Sequence, residues 1–223
     1  LKSPTASSTP AVTAWDLPVR IIHWLWVAGV FWSWGTGQWR HLAWHRYSGY
    51  LLLGTVVFRL FWGFAGSDSA RFRNFVRSPE LVWAYARTLF TAQPDARSTS
   101  HIGHNPLGGW SVLLMLTLLA TQIGLGLFSV DVDGDESGPL ADYVSFRTGR
   151  FCAHLHHVCF NLLLASIVLH LAAIAFYQFY KRQNLLAPMI RSPVPLTTRW
   201  PLALVGAGAA AALVWWVARG FRL

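Results

Sequence analysis

The chain has 223 residues, of which 54% are hydrophobic and only 12% charged, with 13 Trp and 14 Phe. A water-soluble domain of this length carries about twice that share of charged residues, so the composition excludes an ordinary soluble globule and predicts an all-α, polytopic transmembrane helix bundle. The net charge of +9 fits the Lys and Arg that membrane proteins gather in cytoplasmic loops; no nucleic-acid-binding motif accompanies it, and DNA and RNA are excluded as partners.

In chain order, residues 1–14 (LKSPTASSTPAVTA) are polar and have no apolar core. They read as a flexible tail rather than a signal peptide. Five apolar segments follow, at 18–37, 46–66, 106–128, 151–178 and 200–218. Each approaches the ~20 residues a helix needs to span a bilayer. Between the second and third, VRSPELVWAYARTLFTAQ mixes apolar and basic positions and reads either as an interfacial amphipathic helix or as a plain loop. Five crossings place the N-terminus, 67–105 and 179–199 on one side, with 11 Lys and Arg, against 6 on the other. The richer side, side A, is then cytoplasmic. Side B, with the acidic loop 131–138 and the C-terminus, is periplasmic if the membrane is a bacterial inner membrane. Cys152 and Cys159 lie seven residues apart on one helix, about 10 Å along its axis, too far for a disulfide. Neither sits in a C-x-x-C-H motif, so both read as packing residues.

Histidine is rare within spans and usually functional there. Four helix-borne candidates emerge: His23, His45, one of the group 154–157, and His170. At about 100° per residue, His156 returns to within ~40° of the face of His170, whereas His157 and His154 are ~140° and ~160° away. His156 and His170 therefore share a face, about 21 Å apart along the axis. Helix direction then pairs His23 with His170 near side A, and His45 with His156 near side B. Zinc would want more ligands than two at each depth. Haem b needs two axial ligands and an apolar slot. Gly49, one turn after His45, and Gly124 and Gly126 on the third segment either let a flat macrocycle approach the backbone or serve ordinary close helix packing. Arg59, fourteen residues after His45, either meets the propionates of a side-A haem or snorkels to the nearby surface. Arg20 has the same two readings. His41 reads as a loop residue. His101 and His104 read as interfacial, and His104, Asn105 and Arg59 are the side-A positions nearest a prospective quinone site.

The stretches WDLPVRIIHW, HRYSGYLLLGTVVFRLFWGFAGS, ARFRNFVRSP, GHNPLGGW, GPLADYVS and HHVCFNLLLASIVLHLAAIAFY resemble the bacterial cytochrome b561 family, which includes the membrane cytochrome b subunits of nickel–iron hydrogenases. The resemblance covers roughly 15–192 in the same order. It implies a four-helix domain holding two b-type haems, each between two histidines, with His23, His45, His156 and His170 as iron ligands; Arg20, Arg59 and Gly49 are the candidate cofactor contacts from the reading of the residues above. Residues 193–223 add a C-terminal transmembrane helix, whose GAGAAAA run offers small residues for packing on its own bundle, on a partner helix or in a homodimer.

The function this implies is electron transfer across the bacterial inner membrane. Two bis-histidine haems would link the quinone pool to a periplasmic redox partner, a c-type cytochrome or hydrogenase-like protein. With both axial positions filled, the iron has no open site, which suits electron transfer rather than oxygen chemistry. Two rivals remain at this stage. One is a self-contained oxidoreductase that reduces quinone with superoxide or another small reductant. The other is a transporter or structural membrane protein whose histidines only pack, and which would bind no chromophore.

Overall fold

The computed structural model describes residues 15–89, 105–131, 137–190 and 199–221. Among these residues there is no strand. The helices are α1 (Leu17–Gln38), α2 (Leu42–Ala65), α3 (Phe72–Phe75), α4 (Pro79–Thr88), α5 (Pro106–Leu127), α6 (Phe146–Phe179), α7 (Ala187–Ile190) and α8 (Trp200–Ala218), with a 3₁₀ turn at Ala141–Tyr143. The tail 1–14, His101, His104, the acidic residues 132–136 and the link 191–198 lie outside the described residues.

Five long helices match the five predicted segments, and four of them, α2, α5, α6 and α8, are long and apolar enough to cross a membrane. α1 has the length, at 22 residues, but not the apolarity. Arg20, His23, four tryptophans and the polar last turns around Ser33, Thr36 and Gln38 dilute its aliphatic content. The ambiguous segment after α2 contains a helix, α4, with Leu81 and Trp83 both exposed and Arg87 stacked over Trp83.

Local signals explain the helix starts. Asp16, Asn105 and Ser145 cap α1, α5 and α6 by accepting a backbone N–H two or three residues into the helix. Proline opens α1, α4, α5 and α8, where its missing N–H costs nothing.

α2 is the axis of the bundle, packing on α1, α5 and α8. Its partners approach through small residues. Gly29 of α1 faces Leu52, whose methyl would lie 2.9 Å from an added Cβ. Gly206 of α8 receives Phe61, and Gly54 of α2 receives Val214. These two contacts fix α8 antiparallel to α2. α5 and α6 pack together as a second pair, and a core of Leu52, Val56, Leu116, Leu119, Ile123 and Leu163 joins the two halves at mid-height. α6 packs on α5 but barely meets α1 or α2, so a slot runs between α6 and the α1–α2 pair.

At the side-A end, Asp16 locks α1 to α2. Its carboxylate accepts from Val19 N at 3.0 Å, from the wholly buried Trp62 Nε1 at 2.6 Å, and from the Ser67 hydroxyl. Asp16→Ala removes a helix cap and leaves a buried indole N–H without an acceptor. It is expected to destabilise the protein by about 2–3 kcal/mol, read as a lowered thermal unfolding midpoint in detergent. An unchanged midpoint would count against Asp16 as the lock.

Candidate functional site

α6 carries one inward stripe. His156, Cys159, Leu163, Ile167, His170 and Tyr177 are buried or half-buried, while His154 and His157 are exposed. The free thiol of Cys159 points at Leu118 O, 3.5 Å away, as expected of a packing residue. The structure thus turns His156 and His170 towards the slot and His157 away from it, as helical phase predicts.

At side B, His156 meets His45, with ring centroids 6.0 Å apart and planes at 79°. Imidazole–metal bonds run about 2 Å, and two of them plus the half-depth of each ring span a separation of this size. Both rings are held by carbonyls of neighbouring helices. His45 Nδ1 lies 2.8 Å from Ser33 O on α1, and His156 Nδ1 lies 2.9 Å from Gln122 O on α5. A carbonyl only accepts, so each ring places its proton on Nδ1 and its lone pair on Nε2. That is how metal-binding histidines are commonly oriented. Close backbone approach makes room for the rings: a Cβ on Gly37 would lie 3.1 Å from His45 Nδ1, and one on Gly126 would lie 3.1 Å from His156 Cε1. At Gly49 and Gly124 an added Cβ would meet nothing within 4 Å, so α2 and α5 leave open space there. His41 caps α2 with an exposed side chain, away from the pair.

At side A, His23 and His170 lie within electrostatic range of each other. His23 Nδ1 is buried without a hydrogen-bond partner. Arg59 is only 4% exposed, so its side chain does not snorkel to water. Its guanidinium stacks 4.8 Å over Phe72, and Nη1 is buried with no hydrogen-bond partner. The Asp16 carboxylate lies within electrostatic range of the guanidinium, but Nη1 is left without an acceptor, a state that favours a further anionic partner. Arg20 is engaged differently. Its Nε donates to Met189 O at 3.1 Å and its Nη2 to Ile190 O, tying α1 to the C-terminal carbonyls of α7. Asn105 accepts from Gly108 N at 2.6 Å and donates to Tyr177 Oη at 3.0 Å, and Tyr177 pairs with Tyr85 of α4 at 2.6 Å. Asn105 is therefore part of a polar cluster joining α4, α5 and α6.

No group of three or more His, Cys, Asp or Glu suited to a metal ion occurs among the described residues. The inward histidines come in twos, an arrangement that would suit a group bringing its own equatorial donors. Sequence reasoning missed Ser33, Gly37 and Gln122. Only Gln122 leaves a trace in the sequence, as a lone amide inside the apolar α5. The other two matter through tertiary contact.

The family model described as prokaryotic cytochrome b561 matches residues 14–192. No curated protein and no solved structure matches the chain. α8 lies beyond the matched span.

Gly126→Val crowds the His156 ring and pulls Nδ1 off the Gln122 carbonyl. The expected result is a mixture of His156 tautomers in ¹⁵N spectra of the detergent-solubilised chain, where the parent holds one. A single unchanged tautomer would show that the carbonyl is not what orients the ring.

Proposed function

The chain belongs to the prokaryotic cytochrome b561 family, whose members bind haem b and carry electrons in membranes; from that premise we propose that it conducts electrons across the membrane through two haems b, each held between two histidines. His45 and His156 would ligate the haem near side B, and His23 and His170 the haem near side A. The observation that carries this reading is the side-B pair: two rings from helices that barely touch, 6.0 Å apart, each with Nδ1 fixed by a carbonyl so that Nε2 carries the lone pair, which at His156 also meets the Gln122 amide.

The haem iron would supply the one-electron couple. The chain's own residues supply the rest. Ser33 O and Gln122 O orient the two side-B imidazoles. The Nδ1–H bonds also raise the basicity of those ligands. Arg59 offers the unpaired Nη1 to a propionate near side A. Gly49 leaves space on α2 for a flat ring. Arg20, committed to the α7 carbonyls, acts on this end of the bundle through helix placement rather than as a propionate ligand. Leu52, Val56, Leu119 and Leu163 fill the space between the layers and exclude water from it.

In this reading all five long helices cross a bacterial inner membrane, with the N-terminus cytoplasmic and the C-terminus periplasmic. Its support is the excess of Lys and Arg in the side-A loops. Quinone would exchange electrons on side A, near the Tyr85–Tyr177–Asn105 cluster, and a periplasmic redox protein on side B.

The test is a pyridine haemochrome count on the purified chain. Two haems b are expected per wild-type chain and about one in His156→Ala and in His170→Ala, with His157→Ala unchanged. A colourless wild-type chain from haem-supplied cells would end the reading. Arg59→Leu is expected to keep both haems and to move one midpoint potential to more negative values, because a buried cation favours the reduced state. Redox titration that finds both midpoints unmoved would remove Arg59 from the haem site.

A further inference from the structure

Gln122 lies in the 22-residue apolar helix α5, is 9% exposed, and has no hydrogen-bond partner for its Oε1. A buried amide with an empty acceptor is costly, so its place beside the site needs a reason. The residue touches His156 twice. Its backbone carbonyl takes the Nδ1 proton at 2.9 Å, and its side-chain Nε2 lies 3.0 Å from His156 Nε2. Since the proton is on Nδ1, the ring's Nε2 accepts and the amide donates. The lone pair that would bind iron already has an occupant.

His45 has no counterpart to this. Its two polar contacts, Ser33 O at 2.8 Å and Ser33 Oγ at 3.2 Å, are both to Nδ1. The two rings of one pair are thus prepared differently: His45 presents its lone pair to the slot, while His156 is held at both nitrogens.

We propose that Gln122 is a positioning residue that guards His156, its carbonyl setting the ring's tautomer and its side-chain amide occupying the Nε2 lone pair until haem iron displaces it. This rests on the haem reading above and adds to it a competitor, within the chain, for the nitrogen that would bind iron. The amide has to turn away when the iron binds, so the guard lowers haem affinity by the worth of one hydrogen bond.

The experiment uses the full chain expressed in haem-deficient cells, purified in detergent and titrated with haemin, with the Soret band as readout. In a His170→Ala background only the side-B pair binds. Gln122→Leu, close in volume and without an amide, is expected to bind haemin about fivefold more tightly than its parent, and Gln122→Met to do the same. With all four histidines present, the same change should shift one of two titration phases and leave the other in place, which guards against a background variant that folds poorly. Equal or weaker binding in both Gln122 variants would overturn the guard, weaker binding assigning the amide a supporting contact instead. A parent chain that takes up no haemin at all would overturn the haem reading itself, a result distinct from any difference between parent and variant.

Discussion

A histidine inside an apolar bundle can offer one nitrogen to the interior only if something else takes the proton on the other. Here that is done by two backbone carbonyls, Ser33 O for His45 and Gln122 O for His156. A carbonyl inside a regular helix is already bonded along the helix, so the second acceptance uses its other lone pair. The neighbouring helix must come close enough to offer it. Gly37 and Gly126 make that approach possible, since a Cβ at either would press on the ring it faces. The paired helices α1–α2 and α5–α6 are therefore set as much by the needs of two imidazoles as by apolar packing.

The same constraint accounts for the uneven packing of the bundle. α2 is gripped by α1, α5 and α8, and α6 is gripped by α5, yet α6 stays apart from α1 and α2. In a bundle held only by dispersion and small-residue contacts, such a gap would close. It stays open because the two halves meet through one apolar band at mid-height and through the Arg20–α7 tie at side A. α8, outside the family match, completes the cover of α2 with Ala203, Gly206, Ala210 and Val217 turned inward, and the Tyr143 hydroxyl donates to Gly220 O at its far end.

Much of this was legible in the sequence because helices carry their geometry in their period. That His156 and His170 share one face of α6 while His157 lies off it needed only 100° per residue, and burial along α6 follows that face. The caps at Asp16, Asn105 and Ser145 went unread, and α6 begins at Phe146, five residues ahead of the segment expected at 151–178. What could not be read is whatever depends on a neighbour in space. Ser33 and Gly37 look like polar punctuation in a tryptophan-rich segment, and only the packing of α1 on α2 reveals them beside His45. Arg20 and Arg59 had identical alternatives on paper. Their fates diverge because α7 presents free carbonyls to one, and Phe72 covers the other. α1, read as a span equal to the rest, is the least apolar of the five because its surface is given over to tryptophan, glycine and histidine.

The leucine and valine band between the two histidine layers has an electrical consequence. Leu163 lies seven residues from His156 and from His170, about 10 Å from each along the helix, and it packs among apolar side chains, with the Trp26–Thr55 hydrogen bond beside them. An electron moving between the layers would carry its charge across that band. The membrane voltage then acts on the step directly, with about 2.3 kcal/mol at stake for each elementary charge carried across 100 mV. If each layer holds a haem as proposed, such a band would tie the rate of electron flow to the energised state of the membrane.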